Sequence, residues 1–182
     1  MNLFLVGPMG SGKSAVARQL ARRLGLQFVD SDDEIETRTG VDIPYIFERE
    51  GEAGFREREA EIIDHLTLAD GLVLATGGGA VLDARSRERL RTRGHVVYLR
   101  TSVEQQLART RRSTDRPLLN NPDPRGTLAR LFEMRAPLYQ EVAEFVVDTD
   151  GRKVKTVVQE ILRHLGSPEA VAGLDDGTGH CG

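Results

Sequence analysis

An α/β fold, a parallel sheet with helices on both faces, is predicted by three features of the sequence. Short apolar runs alternate with stretches whose apolar residues recur at helical spacing. Leu72-Val73-Leu74-Ala75-Thr76 is almost wholly apolar, the mark of a strand covered on both sides. A glycine-rich octapeptide, Gly7-Pro-Met-Gly-Ser-Gly-Lys-Ser14, joins the first apolar run to the first helical stretch. Strands linked through helices pair in parallel with right-handed crossovers, so ligands gather at the C-terminal ends of the strands.

Asn2 to Val6 forms the first strand, and Val16, Leu20 and Leu24 mark the core stripe of the helix after it. Gly25 ends that helix, and Leu26 to Val29 forms a second strand leading into Asp30-Ser31-Asp32-Asp33-Glu34. Ser31 or Asp32 can cap a helix that runs through Arg38 to Gly40. Pro44 opens another helical stretch, Tyr45 to Glu50, which Gly51 breaks. Ile62, Ile63 and Leu66 give Phe55 to Leu68 one apolar side, an amphipathic helix. The Leu72–Thr76 strand ends in Gly77-Gly78-Gly79, and an arginine-rich helix spans about Asp83 to Arg93. A strand at His95–Leu99 and a helix at Val103–Arg111 come next. Three prolines then make Arg112 to Arg125 a loop. A helix from about Gly126 to Met134 or beyond, a fifth strand at Phe145–Asp148 and a last helix striped by Val154, Val157, Val158, Ile161, Leu162 and Leu165 complete the pattern.

The 182 residues suit one domain with a sizeable core, read here as residues 1–165 with a tail over 166–182. That tail is rich in glycine and poor in large apolar groups, which predicts disorder. Hydrophobic residues make up 39% and charged ones 29%, with a net charge of −3, so no general nucleic-acid surface is expected. No apolar run approaches the ~20 residues that cross a bilayer, and no signal peptide precedes the first strand. One cysteine, Cys181, rules out an internal disulfide or a cysteine metal cluster. Four scattered histidines lack metal-ligand spacing. A cytoplasmic protein is the expectation.

The octapeptide fits G-x-x-x-x-G-K-[ST] in its strand–loop–helix setting. Gly7, Gly10 and Gly12 let the backbone curl its N–H groups around phosphate oxygens. The helix beginning near Lys13 aims its positive end at the same anion. Gly10, Ser11, Gly12, Lys13, Ser14 and Ala15 therefore form the expected nucleoside triphosphate site, with Lys13 on the phosphates and Ser14 on Mg²⁺. Motors and GTPases usually hold Mg²⁺ through an acidic residue ending an apolar strand. The third strand here ends in Thr76-Gly77, whereas the second ends in Asp30, with Asp32 two positions on. Residues i and i+2 of an extended or turn segment can face the same way. One carboxylate can then serve the metal and one an acceptor hydroxyl, the alternative being a helix cap. Gly77, Gly78 and Gly79 offer bare backbone and N–H groups to a small ligand. Arg56 and Arg135 converging on one crevice would suit a carboxylate, which arginine grips with two bonds. Arg116 lies in a loop that could close over nucleotide and bring charge to the transferring phosphoryl group.

Gly7–Ser14, Asp30-Ser31-Asp32, Gly54-Phe55-Arg56-Glu57, Thr76–Gly79, Arg116-Pro117-Leu118-Leu119 and Arg135-Ala136-Pro137-Leu138-Tyr139 occur together and in order. In this set, which covers residues 2 to about 165, the chain resembles the shikimate kinases. The resemblance implies a three-layer α/β/α P-loop kinase fold with strand order 2-3-1-4-5 and a mobile lid at about 112–125. It implies transfer of phosphate from ATP to the 3-hydroxyl of shikimate, with Mg²⁺, by a monomer. By the same resemblance Lys13, Asp32 and Arg116 are catalytic, Asp30 supports the metal beside Ser14, and Asp32, Arg56, Gly77, Gly78, Gly79 and Arg135 bind shikimate. Arg116 would also contact ATP, as would Arg152 at the nucleotide base. Two other readings share the phosphate loop. One is a gluconate-type or nucleotide kinase, the other a catalytically silent nucleotide-binding regulator.

Overall fold

In the computed structural model, residues 1–111 and 117–166 are described. They form five strands and seven α-helices in the order β1 (Leu3–Val6), α1 (Lys13–Leu24), β2 (Gln27–Asp30), α2 (Ser31–Thr39), α3 (Ile43–Thr67), β3 (Leu72–Ala75), α4 (Ala84–Arg93), β4 (His95–Arg100), α5 (Val103–Thr110), α6 (Pro124–Val142), β5 (Phe145–Asp148) and α7 (Val154–His164). The sheet is parallel throughout with order β2-β3-β1-β4-β5. β1 lies at its centre, with Leu5 level with Ala75 on one side and Val97 on the other.

Both faces of the sheet are dry. Phe4, Val6, Leu72 and Leu74 point with Ile35, Ile63, Leu90 and Tyr139 into one layer of core. Leu3, Leu5, Val73 and Val97 point the other way, against Val16 and Leu20 of α1 and Val157 and Ile161 of α7. Successive strand residues face opposite sides, so a strand buried twice must be apolar at every position. The arginines of α4 have a structural use. Arg93 donates to Asp64 and Thr67 of α3, and Arg87 to the Val81 carbonyl, which pins this helix to its neighbours.

The local departures from the sequence reading have physical reasons. α2 is capped by Asp30, whose carboxylate accepts from the Asp32 N–H at 3.0 Å, rather than by Ser31 or Asp32. The helical stretches on either side of Gly51 lie closer together than expected, within α3, while the helical path breaks at that glycine as expected, with φ 70° and ψ −178°. The expected loop of residues 112–125 contains a 3₁₀ turn, Pro117–Leu119, and gives way at Pro124 to α6. Proline suits the first turn of a helix because its missing N–H would have no partner there, and Asp123 caps this one. No helix among the described residues is long and apolar enough to cross a membrane.

Candidate active site

The C-terminal ends of β1, β2 and β3 open onto two adjoining cavities. One, of about 420 Å³, is lined by the Gly10–Ala15 loop, Asp30 and Arg109. The other, of about 60 Å³, is lined by Arg56, Glu59, Gly79 and Arg135, with Pro117 and Leu118 along its edge. Met9, Asp32, Ile43, Gly77 and Gly78 belong to both and form the shared wall. A further cavity, of about 470 Å³ between α2 and α3, touches none of the motif residues.

The phosphate loop is built as its glycines require. Gly12 caps α1 with φ 86°, and no acidic residue stands in the first turn to oppose an incoming anion. The Lys13 ammonium is buried and donates to the carbonyls of Gly7 and Pro8 at 2.7 and 2.8 Å and to Ser11 Oγ at 3.3 Å. It thus braces the loop from within. Ser14 Oγ donates to Asp30 Oδ2 at 2.5 Å, while Asp30 Oδ1 caps α2. The cap role and the place beside Ser14 are therefore not alternatives, since Asp30 fills both.

Around the smaller cavity, charge is held in place. Arg56 Nη1 donates to Glu59 Oε2 at 2.6 Å, and Arg135 is almost wholly buried. Burial pushes the Glu59 carboxyl up, against the pull of Arg56 and Arg135. Burial likewise lowers the pKa of Arg135. The glycine turn makes room for these groups. A Cβ on Gly77 would lie 2.5 Å from Glu59 Oε1 and 2.8 Å from Asp32 Oδ1, and one on Gly79 would lie 2.1 Å from Arg56 Nη1. The Gly77 N–H is already engaged with Ser31 Oγ at 2.9 Å, so this residue supplies space rather than a donor to a ligand.

The fold thus brings Asp30, Asp32, Arg56, Arg135, the phosphate loop and the three glycines to one crevice. Arg116 lies outside the described residues, as do residues 112–116 of the expected lid and the tail beyond Gly166. Arg152 stands apart from both cavities. Its guanidinium donates to Glu160 at 2.5 Å and to the Asp148 carbonyl at 2.8 Å. Three residues at the site were not expected. Glu59 shares the buried face of α3 with Phe55, Ile62 and Ile63, so its spacing alone was a usable signal. Arg109 donates to the Gly10 carbonyl at 3.0 Å and reaches Thr149, linking the phosphate loop to the β5–α7 loop. Tyr139 donates to the Gly78 carbonyl at 2.5 Å.

Chemically, the larger cavity offers a ring of N–H groups and a helix end to a polyphosphate, with two oxygen ligands at its side. The smaller one offers two guanidinium groups to a small carboxylate. Asp32 stands where the two meet.

Comparisons with known proteins identify relatives of the chain. A family model described as shikimate kinase matches residues 9–166. The shikimate kinase of Pseudomonas savastanoi pv. phaseolicola is 57% identical over 164 residues, covering 90% of this chain and 95% of its own. That of Halorhodospira halophila is 57% identical over 163 residues, covering 90% and 92%. The solved structure of shikimate kinase from Acinetobacter baumannii in complex with shikimate superposes with a TM-score of 0.89 at 48% identity, covering 96% of this chain and 95% of that one. A chain alike over nine-tenths of its length in sequence and fold, with the phosphate loop and the arginine pair at one crevice, belongs to the shikimate kinase family.

Proposed function

We propose that this protein transfers the γ-phosphate of ATP to the 3-hydroxyl of shikimate, giving shikimate 3-phosphate and ADP, a step toward chorismate and the aromatic amino acids. The observation that carries this reading is the shared wall. A carboxylate pocket made by Arg56 and Arg135 opens beside a phosphate loop, with Asp32 facing both.

Phosphoryl transfer asks a protein mainly for positioning and for positive charge around the migrating group. Arg56 and Arg135 grip the substrate carboxylate and the Gly77–Gly79 turn shapes the space for its ring. Asp32 hydrogen-bonds the acceptor hydroxyl and takes its proton as the new O–P bond forms. Gly10 to Ala15 hold the triphosphate of ATP. Lys13 exchanges some of its carbonyl partners for phosphate oxygens, and Arg116 adds positive charge at the transferring phosphoryl group. Arg109 borders the triphosphate cavity, and Arg152, outside that cavity, would reach only the base end of the nucleotide.

The metal expected here is Mg²⁺. Ser14 and Asp30 offer it hard oxygen ligands 2.5 Å apart beside the phosphate cavity. This suits an ion that keeps several waters and binds through one or two protein oxygens plus phosphates. Among the described residues no cluster of three or more histidine, cysteine or acidic side chains offers a richer site. When bound, the ion neutralises charge on the β- and γ-phosphates. We further read residues 1–165 as one catalytic domain acting as a cytoplasmic monomer.

The test is ADP release with Mg-ATP, with shikimate compared against gluconate, nucleoside monophosphates and no acceptor. Turnover with shikimate alone is expected. Turnover only with gluconate or a nucleotide would keep the kinase and discard the carboxylate pocket. ATP binding without turnover on any acceptor would favour the regulator.

A further inference from the structure

The Arg135–Tyr139 segment supplies more than one guanidinium. Arg135 and Tyr139 stand one turn apart on α6, and both are buried. The Tyr139 hydroxyl donates to the Gly78 carbonyl at 2.5 Å, across 61 residues of sequence. Arg135 lies against the same peptide, since a Cβ on Gly78 would stand 3.7 Å from its Nη1, and it lines one small cavity together with Tyr139. A hydroxyl has one proton to give, and here the Gly78 carbonyl takes it. The Gly78 carbonyl belongs to the same planar peptide as the Gly79 N–H, and in a trans peptide the two point in opposite directions. Holding the carbonyl therefore fixes that N–H on the side away from Tyr139. Gly79 is also the residue packed against Arg56.

We propose that Tyr139 is a positioning residue for the acceptor site, its hydroxyl setting the Gly78–Gly79 peptide and the Arg135 guanidinium in one fixed relation. Tyr139 lines neither the larger nor the smaller cavity and acts on the substrate through these two groups. The inference rests on the reading of the smaller cavity as the shikimate site. Loss of the hydroxyl frees the glycine peptide to rotate and so alters the surface against which Arg135 packs. The effect falls on the acceptor and not on the nucleotide, because the phosphate loop is anchored separately through Lys13 and Arg109.

Tyr139→Phe keeps the ring, which packs on Tyr98 at 5.1 Å between centroids, and removes the hydroxyl alone. Tyr98→Phe is the matched control, since the Tyr98 hydroxyl is buried with no hydrogen-bond partner. Steady-state kinetics should show the shikimate KM of Y139F raised by up to about 10-fold, as expected for the loss of one buried hydrogen bond. The ATP KM should stay within about 2-fold, with Y98F matching the parent in both. A shikimate KM for Y139F equal to that of the parent would overturn the proposal. So would equal increases in both KM values, which mark general loosening. If the parent itself turns over no shikimate, the functional reading fails first, and the two failures are thus distinct. Tyrosine ring NMR of the unmodified protein covers poor folding of the variant. The Tyr139 resonance should shift with shikimate alone and not with ADP alone, and a resonance indifferent to shikimate would equally overturn the proposal.

Discussion

Replacing Gly79 by alanine is a sharp test of the acceptor site, because one methyl group meets one named side chain. The new Cβ would lie 2.1 Å from Arg56 Nη1, 2.3 Å from Cζ and 2.6 Å from Nη2, where ordinary contact begins at 3.4 Å. The guanidinium must therefore retreat by roughly 1.3 Å. It has little freedom to do so in place, because Glu59 holds Nη1 at 2.6 Å and is itself buried. Gly79 is not among the glycines with positive φ, so alanine brings no backbone strain of the left-handed kind. The fold should survive and Arg56 should move. A misplacement of about 1 Å in a positioning group can lower rate about 10²-fold, which sets the expected loss in kcat/KM for shikimate. The assay is shikimate-dependent ADP release, with ATP binding and thermal melting measured alongside. Gly79→Ala combined with Arg56→Ala should cost little more than Arg56→Ala alone, because both act on one group. Fully additive losses, or a Gly79→Ala enzyme with parental kcat/KM, would refute the reasoning.

Three further outcomes follow from the same geometry. Asp32→Asn should lose about 10²- to 10⁴-fold in kcat with little change in melting temperature, and near-normal turnover would remove its assigned role. Arg135→Lys should raise the shikimate KM by about 10-fold or more and leave the ATP KM nearly unchanged, because a lysine cannot reproduce the two-bond grip. Glu59→Gln tests the electrostatics. Burial raises the Glu59 pKa in the folded state, so this group's contribution to stability is present below the unfolded glutamate pKa and is lost as pH rises through the folded one. Melting temperature of the parent minus that of E59Q should therefore fall as pH rises from about 4 to 7, and a rising difference would contradict the assignment.

The sheet was readable from sequence because burial on both faces leaves strands such as Leu72–Ala75 with no polar alternation, and the phosphate loop punctuates the chain at one point. What sequence could not supply was convergence. Arg56 and Arg135 lie 79 positions apart on different helices, and only the placing of α3 and α6 over the same strand ends brings them to one cavity. Boundaries blurred for local reasons. The helix resumes directly after the break at Gly51 instead of at Phe55, and Pro124 begins a helix where prolines had suggested loop. Glu59 was overlooked as one acidic residue in a charged run, although its position on the apolar face of α3 set it apart. Tyr139 entered the sequence reading only as the end of the Arg135–Tyr139 motif, and in the structure it is a core aromatic. Its hydroxyl has a use that only the approach of Gly78 reveals.

The central claim, that a carboxylate held by two arginines beside the phosphate loop defines the acceptor, is tested most directly by changing the acceptor instead of the protein. Shikimate and its methyl ester differ in the charge that Arg56 and Arg135 would grip, and both keep the 3-hydroxyl. Losing a partner of a buried charged pair costs roughly 2–5 kcal/mol, so kcat/KM for the ester should fall by about 30-fold or more. An ester phosphorylated as well as shikimate would contradict the claim, because the arginine pair would then have no part in choosing the substrate.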